Sequence, residues 1–142
     1  MRKVLWLAAV LALAACNTPF SNALPPGSLA GDWSGSFLSA DTTLGSLRLS
    51  LVPATGYDSR GGAVGGWTMT GTWAMTVGSA SDSGTVAGEG IDGALSMHFN
   101  LRGAGACVID LQAGQFGSTL RGTYTATACA VPNSGKVAVT KR

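Results

Sequence analysis

The sequence predicts an all-β domain, an eight-stranded antiparallel up-and-down β-barrel, behind a short apolar N-terminal signal helix. Three observations carry this. Twenty-one glycines with only nine Lys+Arg and seven Asp+Glu in 142 residues is a composition poor in helix formers. From Leu29 onward apolar residues recur at every second position, the period of a strand with one buried face. Eight such stretches follow one another across short breaks rich in turn residues. Closing them into a barrel removes the sheet edges that an exported protein would otherwise expose. A two-sheet β-sandwich would serve the same pattern.

The first strand is expected over 30–38, with Trp33 and Phe37 four apart around Gly35. The second covers 44–53, where Leu47, Leu49 and Leu51 alternate with Arg48 and Ser50. A Gly-rich loop over 56–66 follows. The third strand is the clearest: over 67–77, Trp67, Met69, Gly71, Trp73, Met75 and Val77 face one way and Thr68, Thr70, Thr72, Ala74 and Thr76 the other. Its length makes Gly71 a candidate bend or bulge. Residues 78–83 read as a turn, and 84–90 as a weak fourth strand. Asp92-Gly93 is a hairpin signal before a fifth strand over 94–102, with Leu95, Met97, Phe99 and Leu101 inward. Gly103-Ala104-Gly105 leads to a sixth strand, 106–113. The seventh covers 118–128, with Leu120, Gly122, Tyr124 and Ala126 on one face. After Pro132-Asn133-Ser134-Gly135 an eighth, 136–141, points Val137 and Val139 inward.

Ahead of this domain stand Met1-Arg2-Lys3 and an uncharged run from Val4 to Ala15. A run of about 12 residues has the length of a signal-peptide core, and a bilayer-spanning helix needs roughly 20. The run ends in Leu13-Ala14-Ala15-Cys16, which resembles the lipobox of bacterial lipoprotein precursors. That resemblance implies cleavage before Cys16 and a diacylglyceryl group on its sulfur, with the new amine often acylated (a palmitate-type chain). The expected organisation is therefore a signal peptide over 1–15, a lipidated tether over 16–29 and a barrel over 30–142. The membrane, reached through Cys16, is the first expected partner. Two or more acyl chains bind a bilayer stably where one binds marginally. Asn17 rather than Asp after the Cys leans toward an outer membrane, so the protein is expected in the cell envelope, facing periplasm or exterior.

Without Arg2 and Lys3, seven basic residues face seven acidic ones. A neutral domain offers no stripe that tracks phosphates, which argues against nucleic acid as a partner. Cys107 and Cys129 are then a lone pair in an exported chain, most simply a disulfide. A hairpin turning near Gly117-Ser118 brings them within about one position of each other. The alternative, two free thiols or a metal pair, lacks the His and acidic partners a site would need.

At Gly31-Asp32-Trp33 the chain resembles the calycin-type barrels: lipocalins, avidins and the small bacterial metalloprotease inhibitors. Many of these start their first strand with Gly-x-Trp, the Trp plugging the barrel end. In lipocalins a basic side chain near the last strand stacks over it, and Lys141 or Arg142 is placed to do so. The avidin pattern departs at Gly35, where avidins place an Asn. Gly71-Thr72-Trp73 and Gly122-Thr123-Tyr124 also resemble the small Gly/Thr-rich bacterial lipoproteins, which implies no chemistry.

No catalytic constellation, metal site or cofactor motif emerges. His98, the single histidine, falls on the outward face of the fifth strand between Ser96 and Asn100. Glu89, Asp92 and Asp110 read as surface and turn acids before they read as a glycosidase pair. Gly61 to Gly66 precedes a strand and not a helix, so it is no phosphate loop. Trp33, Trp67, Trp73, Met69, Met75, Met97, Phe99 and Tyr124 could line a lumen for a small apolar ligand, or fill a barrel whose interior only just holds its own side chains. The expected role is a non-enzymatic envelope lipoprotein that binds such a ligand or acts structurally. The alternative is a protein-interaction module, such as an inhibitor of an exported protease that inserts segment 17–30 into its partner.

Overall fold

A computed structural model of the chain describes residues 29–53, 66–91 and 96–142. Eight strands follow in order: β1 Gly31–Ser39, β2 Leu44–Pro53, β3 Gly66–Val77, β4 Ala80–Ile91, β5 Met97–Gly103, β6 Val108–Phe116, β7 Thr119–Thr127 and β8 Ser134–Lys141. Each pairs antiparallel with the next, and β8 pairs back on β1 from Trp33↔Lys141 to Ser39↔Gly135. The result is a closed up-and-down barrel, the architecture the alternation predicted, and not a sandwich. No helix element occurs among the described residues.

Period two along each strand puts one set of side chains inside. Leu47, Leu49 and Leu51 on β2, Met69, Trp73 and Met75 on β3, and Met97, Phe99 and Leu101 on β5 are all buried in a single core. The outward set is polar: Thr68, Thr70, Thr72 and Thr76 on β3 and Thr123, Thr125 and Thr127 on β7 are exposed. A membrane-spanning barrel is apolar on its outer, lipid-facing side, so this one is built the other way round. The large inward rings are matched by glycines on neighbouring strands. A Cβ on Gly45 would lie 2.3 Å from the Phe37 ring, and one on Gly88 2.5 Å from the Phe99 ring.

Three local readings change. The break after β3 is not 78–83 but the two residues Gly78 and Ser79, with φ +56° at Gly78. A positive φ at the first central position is the arrangement that suits hairpin twist. Residues 80–83 instead extend β4, because β3 supplies backbone partners as far as Val77↔Ala80. Ladder pairing there overrides the weak strand preference of Ser81, Asp82 and Ser83. Strand β6 runs on to Phe116, and the β6–β7 turn falls at Gly117-Ser118 as expected. Gly71 is not a bulge: Leu51, Gly71 and Val86 pair without interruption. A Cβ there would sit 1.8 Å from the Ser50 carbonyl oxygen, so the glycine permits a close backbone approach.

Cys107 and Cys129 form the expected disulfide, with Cα atoms 4.5 Å apart. Since Val108 pairs with Thr127, it staples the open end of the β6–β7 hairpin. The signal helix, the lipobox with Cys16, the tether up to Ser28, the loop before β3, Asp92-Gly93, Leu95 and the Trp67 side chain lie outside the described residues.

Two outcomes follow from the packing. Reduction, or a Cys107→Ala/Cys129→Ala double substitution, lowers stability by about 3 kcal/mol for a link across 22 positions, measured by urea unfolding with and without reductant. Gly88→Ala costs about 1–3 kcal/mol through overpacking against Phe99. Phe99→Leu recovers part of it in a double-mutant cycle, and strict additivity of the two would show that the ring is not what the glycine accommodates.

Candidate functional site

The barrel has two unlike ends. One rim carries the start of β1, the β6–β7 turn and the end of β8. Here Leu29, fully buried, closes the barrel, and its carbonyl accepts a hydrogen bond from Trp33 Nε1 at 2.8 Å. Lys141 Nζ lies 5.9 Å from the centroid of the Trp33 ring, within reach of a cation–π attraction. The basic side chain over the first-strand Trp is thus Lys141. Arg142 instead donates from Nε to Ser34 Oγ at 2.6 Å. Leu29 belongs to the segment expected to insert into a protease, and this end of that segment is fixed to the barrel.

The opposite rim carries the β1–β2 turn, the disulfide and residues 128–133, which lie as a strap between β7 and β8. Val131 is buried, closing this end as Leu29 closes the other. The strap is held at three points: the disulfide at Cys129, Asn133 O accepting from Ala126 N at 2.6 Å, and Asp82 Oδ2 accepting from Ala130 N and Val131 N at 2.6 and 3.0 Å. Ala128 at the start of the strap has φ +54°. Beside the strap opens a cleft of about 440 Å³ lined by Ser39, Asp41, Thr43, Val77 and residues 130–134. In the β1–β2 turn the Ser39 hydroxyl donates to Asp41 Oδ1, and Thr43 N donates to Ser39 Oγ at 2.9 Å and to Asp41 Oδ1 at 3.2 Å. Donation from Ser39, then from Thr43, holds the Asp41 carboxyl below its ordinary 3.8. Leu38 and Leu44, register partners flanking this turn, are 46% and 68% exposed.

Of the residues expected around a lumen, Trp33, Met69, Trp73, Met75, Met97, Phe99 and Tyr124 are all buried in the one core. Phe37 meets Tyr124 edge-on at 5.7 Å, and Trp73 Nε1 donates to the Arg102 carbonyl at 3.3 Å. Among the described residues, clefts of about 300–440 Å³ open on the walls and rims, and some reach Trp33, Trp73 or Met69 from outside. Tyr124 Oη is buried without a partner among the described residues. Burial first, and the Asp41 charge second, push its ionisation above the ordinary 10.0.

His98 lies half-exposed on the wall, as its place in the alternation predicts. The fold adds what spacing could not show: Glu89 Oε1 stands 3.5 Å from its Nδ1 and Asp110 Oδ1 3.5 Å from its Nε2. Asn100 Nδ2 donates to Asp110 at 2.9 Å. With one carboxylate on either side of the ring, the three groups do not converge on a common point. Asp82 supplies the acidic neighbour that the sequence did not reveal for Cys107 and Cys129, the three ligand atoms lying within 4.8 Å of one another. Both sulfurs are joined to each other, and Asp82 Oδ2 already holds the strap. Asp82, Ser39 and Asp41 gave no signal beyond that of ordinary turn residues, because their partners come from other strands or from turn geometry.

No family model matches the chain, and neither a curated protein nor a solved structure matches it. The calycin-type comparison therefore stands on Gly31-Asp32-Trp33, the Trp33–Lys141 contact and the closed eight-stranded topology.

The Asp41 turn gives a pH prediction. A carboxyl whose folded value is depressed contributes stability above its unfolded value and loses it as pH falls through the folded one. In an NMR titration the Asp41 midpoint is expected below 3.8, and Ser39→Ala moves it upward. An unchanged midpoint in that variant would place the cause elsewhere.

Proposed function

We propose that the protein is a lipid-anchored envelope module without enzymatic activity, and that it binds a protein partner through the rim that carries the strap. The observation that carries this reading is the contrast between inside and outside. The described interior is packed with its own rings and glycines, whereas the strap-side rim combines an open cleft with the exposed pair Leu38 and Leu44. Apolar side chains beside a hollow lined by both polar and apolar residues are the usual ingredients of a protein contact, where a few large residues seat in pockets. Closure by Leu29 and Val131 makes the barrel a rigid support, and a rigid support keeps the ordering cost of binding low.

Anchoring rests on the resemblance of Leu13-Ala14-Ala15-Cys16 to a lipobox. The calycin-type likeness supports binding as the role and names no ligand. A small apolar ligand inside the barrel is the less favoured reading, since Trp33, Phe37 and Phe99 would have to part to admit it.

The test has two arms. Mass spectrometry of the mature chain is expected to show a diacylglyceryl group on Cys16, and Cys16→Ser moves the protein to the soluble fraction. A photo-crosslinker in place of Leu44 is expected to give one discrete adduct with an envelope protein, and one in place of Thr125 on the wall none. Leu38→Asp prevents the adduct while changing stability by less than about 0.5 kcal/mol, as for other surface substitutions. Equal adducts from both positions, or none from Leu44, would rule out the strap-side rim as the binding surface.

A further inference from the structure

The rim opposite the strap also carries exposed apolar residues outside the core, Val52 and Phe116. Phe116, at the end of β6, is 65% exposed. It enters the tight turn Gly117-Ser118, where Gly117 has φ +61°. This turn is next to the point where the chain enters the barrel. Lys141 N donates to Ser118 O at 2.8 Å, Lys141 pairs with Trp33, and Trp33 is bonded to Leu29. Phe116, Lys141, Arg142 and the first described residue of the chain therefore share one sector of one rim. Arg121, exposed on the β7 wall behind the turn, adds a third cation, against one exposed acid in this sector among the described residues, Asp32.

Only 12 residues, Asn17 to Ser28, separate Cys16 from Leu29. Twelve residues reach at most about 40 Å even when fully extended. If Cys16 is held in a bilayer, as the proposed anchoring requires, this rim is held against the headgroups at an effective concentration of order millimolar. A contact too weak to recruit a free domain is populated under those conditions. An exposed aromatic ring on a hairpin tip, flanked by Lys and Arg, is the chemistry that seats at a bilayer interface beside anionic headgroups.

We infer that the barrel rests on its membrane through this rim, with Phe116 inserted at the headgroup level and Lys141, Arg142 and Arg121 against anionic lipid. The strap-side rim, with its cleft and Leu44, then points away from the bilayer. The inference rests on the anchoring part of the proposed function and adds an orientation to it.

The experiment uses the full-length, processed protein in vesicles of phosphatidylethanolamine and phosphatidylglycerol. The photo-reactive residue p-benzoylphenylalanine replaces Phe116 in one sample and Leu44 in another. Both positions are exposed, so both samples are expected to fold. Lipid adducts are expected from position 116 and none from 44. Phe116→Ser is expected to leave vesicle flotation intact while exposing the 115–119 amides to faster hydrogen exchange. Equal lipid adducts from the two positions, or none from 116, would show that the domain swings freely on its tether and would overturn the inference. A chain that fails to float and carries no lipid mass on Cys16 defeats the anchoring itself and this orientation with it. A floating, lipid-bearing chain without the 116 adduct defeats the orientation alone.

Discussion

The rest of this molecule depends on filling a small closed barrel from its own side chains. Eight strands enclose a space only just wide enough for the residues that point into it. Every large ring placed there has to be matched by something small across the strand boundary. Phe37 lies where Gly45 has no Cβ, and Phe99 where Gly88 has none. The high glycine content is thus in part a packing requirement and not simply a sign of loops. Gly71 serves the same purpose one level down, by letting the β2 backbone approach β3.

Once the interior is filled, the ends and walls are what remain to act. Closure is completed by apolar plugs held by polar contacts. Leu29 is tied through Trp33 Nε1, and Val131 through Asp82 and the neighbouring disulfide. The Leu29–Trp33 bond spans four residues, whereas Asp82 reaches Val131 across 49 and so does what a turn cannot: it fixes a loop across the mouth of the barrel. The two mouths end up chemically different. One has the incoming chain, cations and an exposed aromatic ring. The other has a cleft of mixed lining beside two exposed leucines. A domain with unlike ends has a direction, and that direction is the basis of both functional proposals.

The wall contributes less than its residues suggest. His98 stands between Glu89 and Asp110, a grouping that in a cleft could assist proton transfer. Glu89 and His98 do line a wall cleft, but the carboxylates stand on opposite sides of the ring and all three side chains are half-exposed or more, so water screens their contacts.

The sequence by itself determined the all-β class, the inward and outward faces of most strands and the Gly117-Ser118 turn. All of these are local or have period two, and period two leaves its mark directly on the residue order. The tertiary structure alone decided closure over a sandwich, since β1–β8 pairing joins the two ends of the domain. It also decided the extension of β4, where the β3 ladder outweighed Ser81, Asp82 and Ser83. The placement of Asp82 on the strap and of Glu89 and Asp110 beside His98 likewise depends on registers between strands. A one-residue slip would turn each of those side chains to the other face, and no single strand records its neighbour's register. The packing of Trp33, Met69, Trp73, Met75, Phe99 and Tyr124 into one core was undecided for the same reason: alternation says that a side chain points inward, and only the closed barrel says what it meets there.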